Sequence, residues 1–491
     1  EANQPAGGAA DRPAVLITGA AGSIGSALTA RLADRYRVVG LDLEGLEADC
    51  ELISVDLSSR ESVELALTRF AERHGREIAA VIHLAAYFDF TGEEHPAYEA
   101  VNVEGTRNLL RALQEFDVGL FLYSGTMLVH KPGAPGIPTV EGAAIEPKWA
   151  YPKSKARAED AIRAEHGGMP YCLLHLAGLY DDRTAVPTLA QQIRRIYERD
   201  PKAHAYSGDL KTGQAFLHKD DMVDAFVRAV DRRQDLPPDA VILIGEEEAV
   251  GYGELQDILA KLIHGADDWT TLSAPKPLAK AGAWLEEKSE PVVPDDFDQG
   301  EKPFIRPFMI EMADDHYELD TTRARELLDW RPEHSIRETL PKLVEALKSD
   351  PAGWYEANGL TPPPWLAAAS DRADAPDDPE AIRAGHEAEF KAAHAGFLWA
   401  PFLNIGLGAW LIVNPWLAGY ESVWMRWSDV GAGAAVMLLA FVTLSWRFAL
   451  LRWPLAAVGL WVMAAPLVFW APTQAAYLNG TLVGALIVGL A

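Results

Sequence analysis

The sequence predicts an α/β body, a doubly wound parallel sheet with a smaller mixed α/β part behind it, followed by an all-α transmembrane bundle. Three observations carry this. Apolar strand-like runs alternate with helical patterns through the first 180 residues, as expected for parallel strands joined by crossover helices. The first such unit, Val15-Leu16-Ile17-Thr18-Gly19-Ala20-Ala21-Gly22-Ser23-Ile24-Gly25, breaks from an apolar run into three glycines and restarts at helical spacing. Four apolar stretches of nearly membrane-crossing length close the chain.

The glycine unit reads as a nucleotide-binding turn between a strand and a helix. Gly19 permits the tight turn, Gly22 lets backbone amides approach a pyrophosphate, and Gly25 allows close helix packing, so the anion meets a helix N-terminus. The spacing is Gly-x-x-Gly-x-x-Gly. The next strand, Tyr36 to Asp42, ends in an acid at the distance where a carboxylate meets an adenosine ribose. Asp42 would accept from both ribose hydroxyls and repel a 2′-phosphate, which predicts NAD rather than NADP. Val55-Asp56-Leu57 places another acid at a strand end, before a charged helix over 60–74. An apolar strand over 78–86 ends in Leu84, Ala85 and Ala86, small enough at its edge to leave room for a dinucleotide. Asn102 opens a further helix, and Leu120 to Thr126 is a strand ending in the hydroxyls of Ser124 and Thr126.

Composition bounds the partners. The formal charge is −27, and from Lys391 onward the charged residues are only Lys391, Arg426, Arg447, Arg452, Glu421 and Asp429, so the acidic excess belongs to the first 390 residues. A phosphate backbone would be repelled, which excludes nucleic acid. Cys50 and Cys172 are far apart and read as buried small hydrophobes, with no disulfide framework and no metal spacing. The polar opening residues, 1–12, read as a flexible leader and not as a secretory signal.

Chemistry enters at Tyr151-Pro152-Lys153-Ser154-Lys155, at the head of a helix running to about Glu165. Tyr151 and Lys155 share one helix face. A phenol with an ordinary pKa near 10 is a poor base at neutral pH, and bringing it into range takes roughly 3 to 4 kcal/mol of charge stabilisation. A neighbouring ammonium, joined by the positive charge of oxidised nicotinamide, is expected to supply it.

On these motifs the chain resembles the extended short-chain dehydrogenase/reductases, the NAD-dependent epimerase/dehydratase family, over roughly residues 13 to 347. Thr18 to Gly25 matches the glycine motif, Asp56-Leu57 the adenine-side acid, His83-Leu84-Ala85-Ala86 the fourth-strand motif, Asn102 the helix asparagine, and Tyr151 with Lys155 the catalytic pair. The resemblance implies a Rossmann-type fold binding NAD, with 13–180 as the cofactor domain and 181–350 as the substrate part. It implies that Tyr151 exchanges a proton with a substrate hydroxyl, that Thr126, with Ser124 beside it, hydrogen-bonds the substrate oxygen, and that Lys155 binds the nicotinamide ribose and tunes Tyr151. It makes a nucleotide sugar the first substrate class. One departure weakens that class: Gln214 stands where many members have a diphosphate-gripping arginine, leaving Lys211 or Lys219 as substitutes. A lipid-like or quinone-like alcohol, as in the hydroxysteroid dehydrogenase branch, is the alternative. His218 reads as a packed histidine, and the Pro- and acid-rich stretch 284–310 as a surface insertion, with a flap over the substrate as its other reading.

Residues 351–395 read as a Pro- and acid-rich linker ending in a charged helix, and 396–491 as four transmembrane helices at 397–419, 430–446, 453–470 and 475–491. Tryptophans cluster near the span ends, and Arg447 with Arg452 marks the second connection as cytoplasmic. Asn414-Pro415-Trp416 and Ala465-Pro466, about fifty residues apart, resemble the bacterial membrane-repeat family named for a Ser-Pro-Trp tripeptide. The expected location is a bacterial inner membrane, multi-pass, with the N-terminal domain in the cytoplasm. No acid, histidine or cysteine pair falls inside those four spans, which argues for an anchor and against a proton relay. Expected partners are a small-molecule substrate, the lipid bilayer and a second copy of the chain. A redox-sensing scaffold that binds NAD without turnover is the non-enzymatic rival.

Overall fold

The computed structural model describes residues 12–90, 92–267, 269–289, 305–363, 365–367, 379–470 and 473–491. The chain divides into two units, Glu1–Pro362 and Pro363–Ala491.

In the first unit seven parallel strands form the predicted sheet: β1 (Ala14–Thr18), β2 (Arg37–Asp42), β3 (Glu51–Ser54), β4 (Ala80–His83), β5 (Phe121–Thr126), β6 (Tyr171–Leu176) and β7 (Asp239–Ile244). Their order is β7-β6-β5-β4-β1-β2-β3, so the winding reverses between β1 and β4. At that point the carboxyl ends of the strands open a crevice. All five residues of β1 are buried. Val15 and Ile17 enter the core on one face of the sheet and Leu16 the core on the other, as a strand covered by helices on both sides requires. The covering helices are α1 (Ser23–Leu32), α2 (Arg60–His74), α3 (Gly105–Leu113) and α4 (Ala150–Glu165). Helix α2 has the predicted bounds, with Ser59 accepting at its N-terminus from the Ser62 amide and Gly75 closing its C-terminus at φ 82°.

The remainder of the unit is mostly helical: α5 (Pro187–Glu198), α6 (Lys219–Asp231), α7 (Tyr252–His264), α8 (Lys276–Ser289), α9 (Pro307–Glu311), α10 (Thr322–Leu328), α11 (Ile336–Ser349) and α12 (Pro351–Ala357). Short strand pairs tie it to the sheet body. Gly178–Tyr180 runs parallel to Phe216–His218, and Gly213–Gln214 antiparallel to Val250–Gly251. The linker begins later than its composition suggests. Pro351 opens α12, Asp350 caps it by accepting from the Gly353 amide, and Trp354 and Tyr355 are wholly buried, so this segment belongs to the first unit.

The second unit holds α13 (Pro379–Ala395) and four apolar helices, α14 (Trp399–Leu417), α15 (Val423–Val442), α16 (Arg452–Val468) and α17 (Gln474–Leu490). Of these, α14 and α15 are long and apolar enough to cross a membrane, whereas α16 and α17 have 17 residues each. The second span starts at Val423 and not near 430, so Arg426 and Asp429 lie inside it. This corrects the expectation of acid-free spans. The hydropathy pattern broke at Arg426 and Asp429, but packing buries Asp429 completely and the helix continues through it. A shift of 51 residues carries the contact between Gly408 and Gly433 onto that between Gly459 and Gly484, so α14–α15 and α16–α17 are two copies of one helix pair. Small residues let both pairs approach closely.

Candidate active site

The site grows from the turn between β1 and α1. Gly19 has φ +74°, and a Cβ there would stand 3.1 Å from the Ala85 nitrogen. A Cβ on Gly25 would stand 2.3 Å from the Gly19 carbonyl oxygen, so only glycine lets the helix sit this near the turn. Gly22 precedes α1 in extended conformation, which leaves the first-turn amides of Ser23 and Ile24 without partners inside the helix. Asp42, at the end of β2, accepts from the amides of Ala21 and Leu43, each at 2.9 Å, and so fastens the turn.

Behind the turn a chain of hydrogen bonds fixes the end of β4. The Thr106 hydroxyl donates to the Asn102 carbonyl at 2.7 Å. His83 therefore donates from Nε2 to Thr106 Oγ1 at 2.9 Å, and its Nδ1 accepts from the Thr18 hydroxyl at 2.7 Å. Thr18 Oγ1 accepts in turn from the Leu84 and Ala85 amides. Burial, with the Lys155 ammonium nearby, pushes His83 down to about 3, which keeps the ring neutral as this pattern demands. Asn102 sits in a π-helical turn, Tyr98–Glu104, leading into α3. Its side chain holds the Tyr87 backbone through both amide atoms and donates to Ser154 Oγ at 2.9 Å. It lies off the cavity wall and fastens the loop after β4 to α4.

Tyr151 and Lys155 stand one turn apart on α4 and face the same cavity, with Ser124 and Thr126 from the end of β5. Lys155 Nζ donates to the Ser124 carbonyl at 2.8 Å and lies 4.7 Å from the Tyr123 ring centroid and 5.9 Å from that of Tyr151. Burial pushes the ammonium down to about 8, against the pull of the Glu159 carboxylate. Burial alone would raise Glu159, but His175 and Arg163 hold it below the ordinary carboxylate range. The Thr126 hydroxyl oxygen accepts from the Leu128 amide at 3.3 Å. Burial, with Tyr98 beside it, raises the Tyr151 phenol above its ordinary value, and Lys155 Nζ makes its short contact with a carbonyl.

The cavity has a volume of about 710 Å³. Of the residues singled out in the sequence, Ser23, Ile24, Leu84, Ala86, Ser124, Thr126, Tyr151 and Lys155 line it. Gly19, Ala21, Gly22, Gly25 and Ala85 form the turn behind that wall, and Asp42 joins them. Asp56 and Leu57 lie apart, beyond β3. Asp56 accepts from the Ser58 amide and hydroxyl, and the Leu57 carbonyl accepts from Asn108.

The opposite wall went unread. Phe88 meets the Tyr151 ring edge-on at 4.7 Å, Trp149 lies 5.6 Å from it, and Phe90 and Phe308 pack on Trp149. Ile305, Met309 and Met312 extend this face, so the described end of the 284–310 stretch covers the cavity, while 290–304 lies outside the described residues. Gln214 and Lys219 are on the wall and Lys211 is not, and Lys219 also donates to Ser23 Oγ. Arg195 also lines the cavity, and it was legible: Leu189, Gln192 and Arg195 recur at three-residue spacing on α5, one inward face. His218 is the predicted packed residue, accepting from the Asp220 amide at the start of α6 and stacked on His334 at 4.0 Å.

The model of the NAD dependent epimerase/dehydratase family matches residues 15–245, and that of the SPW repeat domain matches 398–491. A UDP-glucose 4-epimerase of Mycolicibacterium smegmatis is 28% identical over 355 residues, 68% of this chain and 98% of the relative. A 3-beta-hydroxysteroid dehydrogenase of Mycolicibacterium neoaurum is 26% identical over 44% of this chain and 60% of its own length. Among solved structures, an epimerase from Methanothermobacter thermautotrophicus superposes with a TM-score of 0.51 at 20% identity, covering 71% of this chain and 96% of its own. MoeE5 in complex with UDP-glucose and NAD gives 0.50 at 23% identity, covering 69% and 99%. Residues 15–245 are therefore a domain of the NAD dependent epimerase/dehydratase family of enzymes, joined in one chain to an SPW repeat domain at 398–491.

Proposed function

We propose that the first unit transfers hydride between NAD and a secondary alcohol or its ketone, with Tyr151 moving the hydroxyl proton. The observation that carries this is the convergence of Thr126, Tyr151 and Lys155 on the same cavity as Ser23, Ile24, Leu84 and Ala86. The turn fits a dinucleotide: the α1 amides meet the pyrophosphate across Gly19, Ala21, Gly22 and Gly25, and Asp42 receives the adenosine ribose. Asp56 and Leu57 border the adenine side, and Asn102 holds the loop that carries Leu84 to Ala86 in place. NAD when bound supplies the hydride acceptor or donor and, oxidised, a positive charge. Thr126 and Ser124 orient the substrate oxygen, Lys155 binds ribose hydroxyls, and Tyr151 takes or returns the proton. Because burial leaves the phenol above its ordinary range, Lys155 cannot activate it unaided and needs a second positive charge at the site.

Two substrate classes remain in play. Arg195 on the wall, in place of the guanidinium missing at Gln214, favours a nucleotide sugar as in the epimerase relatives. The rings around Tyr151 favour a bulky apolar alcohol, as in the hydroxysteroid dehydrogenase relatives. We further place this domain at the cytoplasmic face of a bacterial inner membrane, held by the apolar helices. Arg447 and Arg452 beside the second connection, against an uncharged third near Thr473, support that orientation.

In the full chain, Tyr151→Phe is expected to lower NADH formation by about 10²- to 10⁴-fold while NAD binding stays as it was. Unchanged turnover in that variant overturns the catalytic reading. Calorimetric titration with UDP separates the substrate classes: binding that Arg195→Gln abolishes supports the nucleotide sugar, and no binding supports the apolar alcohol.

A further inference from the structure

The helix repeat holds a polar group that neither the hydride reaction nor anchoring uses. Asp429, on the second turn of α15, is 0% exposed, and neither of its carboxylate oxygens has a hydrogen-bond partner. The Tyr420 hydroxyl is the polar group that acts on it, a loose contact outside ordinary hydrogen-bond geometry. That hydroxyl already accepts from Asn414 Nδ2 at 3.1 Å and from Asn479 Nδ2 at 3.2 Å, and Asn479 Oδ1 accepts from Trp410 Nε1 at 2.8 Å. Around them lie Met425, Ala465 and Ala476, all buried and apolar. The cation nearest in sequence, Arg426, donates instead to the Tyr420 carbonyl and makes no ion pair with Asp429. Of the elements packed against α15, α14 carries no ionisable residue, α16 only Arg452 at its start, and the turn Trp446–Leu451 only Arg447, while α17, which packs on α14 and α16, carries the exposed Tyr477.

The internal duplication shows that this acid is not a packing requirement. The same 51-residue shift relates the bond from Trp410 to Asn479 to the bond from Trp461 Nε1 to Ser428 Oγ at 3.0 Å. Under that shift Asp429 falls on Gly480, Asn414 on Ala465 and Asn404 on Leu455. The second copy thus builds the same helix contact from apolar and small residues. The first copy places a carboxylate, a phenol and an amide there, where an unbalanced negative charge is costly.

We propose that Asp429 is the centre of a binding site for a single positive charge inside the repeat, a proton or an alkali cation, with Tyr420 and Asn414 as the accompanying oxygen groups. One monovalent charge balances one carboxylate, and a divalent ion is disfavoured because the four helices themselves hold no second acid and Glu421, in the connection before α15, is exposed.

The test uses the full chain in phospholipid nanodiscs and dicyclohexylcarbodiimide, an apolar reagent that adds covalently to protonated carboxyls in dry surroundings. Mass spectrometry is expected to find the adduct on Asp429 at about pH 6, and Asp429→Asn is expected to lose it. Tyr420→Phe, which leaves the carboxyl in place, is expected to change the labelling rate. Protection by sodium at fixed pH assigns the site to an alkali cation, and labelling indifferent to sodium assigns it to a proton. No adduct between about pH 5 and 8 in the unaltered chain, in buffer free of alkali cations, overturns the proposal. So does labelling that arises only in Arg426→Gln, which would show that Asp429 is balanced by its own arginine.

Discussion

The two walls of the cavity are built by different means. The wall that runs from the glycine turn to Thr126 is made of strand ends locked by directional bonds, with Thr18, His83, Thr106 and Asn102 each defining the proton position of the next. The facing wall is made of rings and thioethers, Phe88, Phe90, Trp149, Phe308, Met309 and Met312, taken from segments scattered between residues 88 and 312. The first tolerates almost no displacement, because a hydrogen bond weakens steeply with angle. The second can change its residues if total volume is kept. On the proposed function, chemistry falls on the rigid side and selection on the adaptable one.

That division can be attacked from both sides. The largest effect is expected at Lys155. Its pKa is lowered in the folded protein to about 8 from 10.5, so between those values the unfolded chain binds the extra proton and stability rises with pH. Below about pH 8 the buried ammonium costs stability, up to roughly 3 kcal/mol. Denaturant titrations of Lys155→Met should therefore show a more stable protein at pH 7 and a flattened rise between pH 8 and 10. A slope retained in the variant assigns it to another group. Next comes Gly25→Ala, whose Cβ would stand 2.3 Å from the Gly19 oxygen. Overpacking of this kind costs about 1 to 3 kcal/mol, read as a lowered Tm together with weakened NAD binding. The smallest effect is expected on the ring side. Trp149→Ala should raise KM for bulky apolar alcohols about tenfold, equivalent to about 1.4 kcal/mol, while NAD affinity is unaltered. A matching loss of NAD affinity would show that the walls are not separable.

The same division governs what could be read from the chain. Where the backbone leaves one residue type, as at Gly19 and Gly25, or where chemistry demands a helical spacing, as at Tyr151 and Lys155, identity and position are both legible. That the sheet is parallel and doubly wound followed from the alternation of strands with helices. The ring wall has no local period, since its members meet only after Phe88, Trp149 and Phe308 are brought together from three separate segments. The spacing of Tyr151 and Lys155 is visible in sequence, and the desolvation that raises the phenol is not. The second apolar helix was begun too late for a related reason: Asp429 looks like a boundary to a hydropathy window, yet neighbouring helices bury it completely.

Helix α12 has a practical corollary for anyone who wishes to study the first unit free of its hydrophobic tail. Severing the polypeptide at 350, where prolines invite the cut, would strip out Trp354 and Tyr355, both 0% exposed, together with the bond from the Tyr355 hydroxyl to Glu198 Oε1 at 2.6 Å. Loss of a buried aromatic side chain costs about 3 to 5 kcal/mol, and two of them rival the 5 to 15 kcal/mol that holds an ordinary domain folded. A fragment carried through Pro362 keeps this plug seated, and the insolubility of a shorter one would report a missing stopper, not a dependence on lipid.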